Sequence, residues 1–306
     1  MASPDPPHLS GISPILAPIG PRVDMRRGAA WMMLSLVGFT GMALLIKYLG
    51  LQRGVSPWLS LFFRALVGLV VVWIVYAPRG RVDFRRALFT RLLVTRGVLG
   101  AIGTACYYRT LPELGAGKAT LISNTWVIWS AIMAVFMLGE LLSWRKIIGT
   151  GFAIVGITFL LGLQGGDITQ VGRFEMVAVI GAFIAAGVVV VIRQLTLTET
   201  SGTIFASQCA YTGLLALPFI FRLPLPSLAD TGLLIAAAVS AALGQLAMTE
   251  GFRFLPVSTG GAFQILLPLS ITVASMALFK EPFAGLQGVG AVLILVGCYQ
   301  TVTARR

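Results

Sequence analysis

Arg109-Thr110-Leu111-Pro112 recurs in this chain as Arg253-Phe254-Leu255-Pro256, at an offset of 144 residues. Gly100 matches Gly244 and Gly117 matches Gly261 at the same offset. After a short gap, Glu140 aligns with Glu281, Gly149 with Gly290 and Gly156 with Gly297, now at an offset of 141. Earlier, Ile46-Lys47 echoes Ile192-Arg193. Single glycine matches are common in apolar sequences, but a collinear series across three successive apolar segments is not. The chain therefore reads as a duplication.

The unit being duplicated is apolar. Of 306 residues, 57% are hydrophobic and 11% charged, against roughly a quarter charged in a soluble domain. A bilayer core needs about 20 mostly apolar residues per helix. Eight runs carry no charge: 28–46, 119–139, 147–166, 176–192, 201–221, 231–249, 254–279 and 282–304. Two more, 55–77 and 92–108, each hold one arginine, Arg64 and Arg96. The expected fold is an all-α membrane protein of ten transmembrane helices. Residues 28–166 would form the first five-helix repeat and 167–306 the second. Five is odd, so the second repeat would enter the membrane inverted, a frequent basis for alternating access around a midplane site.

With ten spans, both termini and the even-numbered loops share a side. Fourteen of the 23 Lys and Arg lie there and seven on the other side, which predicts cytoplasmic termini. The charge of +12 thus follows membrane orientation, and no soluble domain carries a groove-binding motif, so no nucleic-acid partner is expected. Residues 1–27 are polar and proline-rich and read as a disordered cytoplasmic tail. Arg22, Arg26 and Arg27 lead into an apolar run too long for a signal-peptide core. Cys106, Cys209 and Cys298 all fall in spans, and no disulfide framework follows.

Taken together, the ten spans in two halves, R-x-L-P before spans four and nine, and Glu140 and Glu281 closing those spans resemble the drug/metabolite transporter superfamily. The similarity is to its EamA-like family over about residues 28–302, and within that to the YddG-type aromatic amino-acid exporters. The resemblance implies export of amino acids or other small metabolites across the cell's inner membrane, through a cavity lined largely by spans one, three, four, six, eight and nine.

Cavity residues should be polar or aromatic groups at mid-membrane depth, where lipid exposure is costly. Span four offers Thr120, Ser123, Asn124, Trp126 and Trp129, and span nine offers Gln264 and Pro268. Thr120 and Gln264 are repeat mates, as are Asn124 and Pro268, and each pair of positions within a span is four apart on one face. Helix-to-helix hydrogen bonding is the blander account of such residues. Gln245 in span eight faces the same choice, its repeat mate being the small Ala101. Tyr107 and Tyr108 end span three as either cavity or belt residues, and Trp31 reads as interfacial belt. For Arg64 and Arg96 a structural pair or snorkelling is expected ahead of substrate binding. Gly149 and Gly156, like Gly290 and Gly297, are seven apart and mark close helix packing, within one protomer or across a homodimer.

Around residues 115–120 a phosphate loop is excluded, since Pro112 takes the place of its first glycine and Ala119 that of its Ser or Thr, and His8 is the only histidine. No metal, cofactor or catalytic set is therefore expected. The 11 acidic residues fall in the tail, loops or span ends, so facilitated efflux is expected in place of tight proton coupling. The expected substrate is neutral or zwitterionic, aromatic amino acids included, because Trp126, Trp129 and the tyrosines offer stacking faces. Other drugs or metabolites, or a non-transporting scaffold or enzyme, are the alternatives.

Overall fold

The computed structural model describes residues 24–80, 82–114, 116–126, 129, 130, 133, 143–162, 172–279 and 285–303. The expected tail falls almost wholly outside them, as does about half of span four, mainly its second part. Among the described residues every regular element is helical. Besides a 3-10 turn at Ala77–Arg79, these are in chain order α1 (Met25–Arg53), α2 (Pro57–Tyr76), α3 (Phe84–Phe89), α4 (Arg91–Leu114), α5 (Ala116–Asn124), α6 (Trp144–Gly162), α7 (Arg173–Leu195), α8 (Ser201–Ile220), α9 (Leu228–Phe254), α10 (Val257–Gln264), α11 (Leu266–Phe279) and α12 (Gly285–Thr303).

Helix starts follow local chemistry. The Ser56 hydroxyl accepts from the Trp58 N–H with Pro57 in the first turn, Thr200 caps Thr203, and Ser227 caps Asp230. α1 begins before the expected boundary at residue 28, because Asp24 accepts from the Arg27 N–H and draws Met25 to Arg27 into the first turn. It ends at Gly54, whose positive φ of 62° suits the left-handed cap.

Among the described residues six segments are long and apolar enough to cross a membrane: Met25–Arg53, Pro57–Tyr76, Arg173–Leu195, Ser201–Ile220, Leu228–Phe254 and Thr259–Leu278. This is fewer than the ten expected. Span three is present as the 24-residue α4, but its arginines and Glu113 dilute its apolar character. Apolar stretches at Ile147–Gly156 and Gly288–Gly297 are shorter than a full span.

Helices of the two halves interleave. α1 packs along α9, α4 along α7, α2 along α8, α6 along α12, and α5 against α11. The α1/α9 crossing is close: a Cβ at Gly38 would lie 2.5 Å from the Gly244 nitrogen. Gly149, Gly156, Gly290 and Gly297 are all buried, on the paired helices α6 and α12. At the helix ends Arg53 pairs with Asp230 at 2.7 Å and Arg86 with Glu199 at 2.9 Å. The Arg109 guanidinium lies 5.4 Å from the Phe174 ring centre.

Span nine is interrupted at one residue, Ile265, whose backbone stays α-helical. α10 stops at Gln264 and α11 resumes at Leu266. Pro268 accounts for the interruption, because it has no N–H to give the carbonyl of residue i−4, Gln264, and its ring crowds that carbonyl. Span four breaks in a comparable place: α5 ends at Asn124, and a turn at Thr125 is held by its N–H and hydroxyl, both on the Ile122 carbonyl.

Candidate functional site

A cavity of about 160 Å³ opens where the two halves meet. Its wall is mostly apolar, from residues such as Phe39, Met42, Leu99, Val188, Met248 and Leu267. Both interrupted spans reach it. Thr120, Ser123, Asn124 and Trp126 line it from span four, and Gln264 lines it from span nine. Tyr107, Tyr108 and Gln245, undecided from sequence, also line it.

The polar groups are tied together across the halves. Asn124 Nδ2 donates to the Gln264 carbonyl at 3.0 Å, the acceptor that Pro268 leaves open. The Gln264 side-chain amide donates in turn to the Ser35 hydroxyl of α1. The Tyr107 hydroxyl meets the Thr120 hydroxyl at 2.8 Å, while Thr120 Oγ1 donates to the Ala116 carbonyl at 2.6 Å. A buried polar network of this kind holds its members in place only while each finds a partner.

Two arginines complete the wall. Arg64 of α2 is 4% exposed and Arg96 of α4 fully buried. Arg64 donates to Tyr108 Oη at 3.3 Å and to Gln245 Oε1 at 3.4 Å, and contacts Met42 Sδ at 3.1 Å. Arg96 Nη2 donates to Gln208 Oε1 at 2.7 Å, and Gln208 Nε2 donates to Thr104 Oγ1 at 3.2 Å. Arg96 Nε and Nη1 and Gln245 Nε2 find no partner among the described residues. Among those residues no Asp or Glu lines the cavity. Of the two sequence expectations for these arginines, snorkelling is revised for Arg96, and the structural partners of both are neutral groups. Arg96 does not snorkel, because Gln208 and the space beside Gly100 hold it inward. Neither arginine has an acidic structural partner among the described residues.

Other expectations are placed differently. Pro268 is buried but does not line the cavity; it acts on span nine's backbone. Trp129 is 39% exposed and packs edge-on to Phe183 outside the cavity. Trp31, at 38% exposure, stays at the surface. The sequence reading missed Gln208, Thr104 and Ser35. Gln208 was detectable as a lone amide midway along a charge-free span, but nothing in the sequence pairs it with Arg96.

A model of the EamA-like transporter family matches twice, at residues 26–162 and 173–303. The Pseudopaline exporter CntI of Pseudomonas aeruginosa (strain UCBPP-PA14) is 25% identical over 194 residues, 62% of this chain and 66% of CntI. The S-adenosylmethionine uptake transporter of Rickettsia bellii (strain RML369-C) is 23% identical over 258 residues, 83% of this chain and 86% of that one. A solved crystal structure superposes with a TM-score of 0.71 at 19% identity, covering 88% of this chain and 96% of its own, a likeness of fold alone. These relatives are named for other cargoes than the aromatic amino acids of the YddG-type exporters. The chain is an integral membrane protein of the EamA-like transporter family.

Proposed function

We propose that this chain is a ten-span transporter that exports small neutral or zwitterionic metabolites, amino acids among them, by facilitated alternating access. The cavity carries the proposal: both halves line it, and one helix from each half has a local interruption beside it, the kind of site at which transporters built from inverted repeats bind substrate. At about 160 Å³ it is smaller than the roughly 300–1,000 Å³ of typical small-molecule sites. Seating a metabolite requires the halves to part, and alternating access supplies that motion.

Helix pairing supports two inverted five-helix repeats over residues 28–166 and 167–306. If span n corresponds to span n + 5, the α1/α9 pairing maps onto α7/α4. The pairings α2/α8, α5/α11 and α6/α12 each map onto themselves. The family matches begin and end within six residues of the same limits.

Contacts at the helix ends support alternation across the membrane. Arg53–Asp230 joins loops one and seven, Arg109–Phe174 loops three and five, and Arg86–Glu199 loops two and six. Odd loops meet odd and even loops meet even. The basic excess on the even side supports reading both termini as cytoplasmic, in a chain of the inner membrane. The buried glycines of α6 and α12 are read as packing within one protomer.

Trp126, Tyr107 and Tyr108 favour cargo with an aromatic body. The test is counterflow in proteoliposomes with a panel of amino acids, extended to pseudopaline and S-adenosylmethionine because of the relatives' names. Exchange of at least one solute, lost on substituting Asn124, is expected. No exchange of any solute would end the transport reading, and exchange strictly dependent on a pH gradient would end the facilitated mechanism.

A further inference from the structure

We infer that Arg64 and Arg96 form an anion site that takes the carboxylate of the transported metabolite, a step that rests on reading the cavity as the substrate path. Two guanidinium groups line one small, largely apolar cavity with no acidic side chain among the described residues to neutralise them. Such charges are expensive at this depth, and glutamine amides only solvate them. An anion entering the cavity would relieve both arginines together.

The hydrogen bonding points the same way. Fully buried Arg96 uses Nη2 on Gln208, leaving the Nε and Nη1 hydrogens without an acceptor among the described residues. Gln245, which accepts from Arg64, leaves its own amide nitrogen without a partner among the described residues. Buried donors without partners are rare in native structures, and these belong to one cavity wall. Room for the Arg96 fork is built in, because a Cβ at Gly100 would collide with Nη1.

A guanidinium edge matches the two oxygens of a carboxylate in a paired hydrogen bond. The rest of the wall, with Leu99, Met42, Met248 and Leu267, suits an organic body and offers little to a small inorganic ion. Both arginines come from the first half and both glutamines from the second. At the 144-residue offset the mate of Arg96 is Ser240. The charge recognition is therefore one-sided in an otherwise duplicated frame.

The purified full-length protein is tested in detergent at low ionic strength, with ligand protection against thermal unfolding and Trp fluorescence as readouts. The probes are 3-phenylpropionate, L-phenylalanine, L-phenylalaninamide, inorganic phosphate and chloride. Protection by both free acids at concentrations at least about 10-fold below those of the amide, phosphate and chloride is expected. Loss of one charge-assisted hydrogen-bond pair predicts that R64Q and R96Q each weaken protection by the acids about 10- to 100-fold. Equal protection by acids and amide, protection by phosphate or chloride at equal concentration, or none by the acids would overturn the inference. The acid-against-amide comparison uses the unaltered protein, so it decides the matter even where a variant fails to fold. Counterflow separates the two readings. Exchange without carboxylate preference removes the anion site and leaves transport standing; carboxylate binding without exchange of any solute does the reverse.

Discussion

Asn124 donates its side-chain amide hydrogen to the backbone carbonyl of Gln264 at 3.0 Å, and that carbonyl is the one Pro268 leaves without its helical donor. The broken turn of one half is thus completed by a side chain of the other. Asn124→Ala strands the carbonyl and is expected to cost about 1–3 kcal/mol. Pro268→Ala restores a backbone donor, so it should rescue the stability of Asn124→Ala while leaving counterflow low. A double-mutant cycle of thermal unfolding checks this coupling. Additive losses, with the double variant no more stable than Asn124→Ala, would sink it.

Arg193 and Arg253 each secure the end of the helix that carries the other. Arg193 Nη1 donates to the Phe252 carbonyl at 2.6 Å, and Arg253 donates to the Thr196 and Glu199 carbonyls, both at 3.1 Å. These carbonyls lie at or beyond helix C-termini, where intrahelical donors run out. Arg253→Ala should lower stability by about 1–3 kcal/mol, and Arg253→Lys should recover only part of it because one ammonium cannot reproduce the fork. Thermal unfolding of the two variants decides; equal stability of Lys, Ala and the parent would refute the role.

The α1/α9 crossing allows no side chain at Gly38. A Cβ there would lie 2.5 Å from the Gly244 nitrogen and 2.7 Å from its Cα, and backbone cannot swing aside. Gly38→Ala is expected to cost at least about 1–3 kcal/mol, the usual range for overpacking. Gly187→Ala on α7 is the control, since nothing lies within 4 Å of its Cβ position. A Gly38→Ala variant as stable as Gly187→Ala would contradict this crossing.

The buried glycines of α6 and α12 bear on oligomeric state. With Gly149, Gly156, Gly290 and Gly297 buried on a helix pair of one protomer, Gly156→Leu should lower thermal stability without altering the size of the detergent-solubilised particle. Light scattering coupled to size exclusion reads the second quantity. A shift in oligomer with unchanged unfolding would place this face between protomers.

The sequence by itself determined the class and the approximate positions of the helices, because apolar run length and capping chemistry are local. It also drew attention to Thr120, Ser123, Asn124, Trp126 and Gln264 as polar or aromatic groups within apolar spans, and these side chains line the cavity. Pro268 was expected in the cavity wall and lies outside it; its effect on the carbonyl four residues back became visible only in the helix interruption beside Ile265. Only the tertiary structure decided the fate of the arginines. Whether a buried guanidinium snorkels, pairs with an acid or faces a cavity depends on neighbours from other helices. For Arg96 and Arg64 those neighbours, Gln208 and Gln245, lie 112 and 181 residues away, beyond any local pattern. The repeat could not foretell it either, since duplication preserves backbone packing while the charges sit in one half alone.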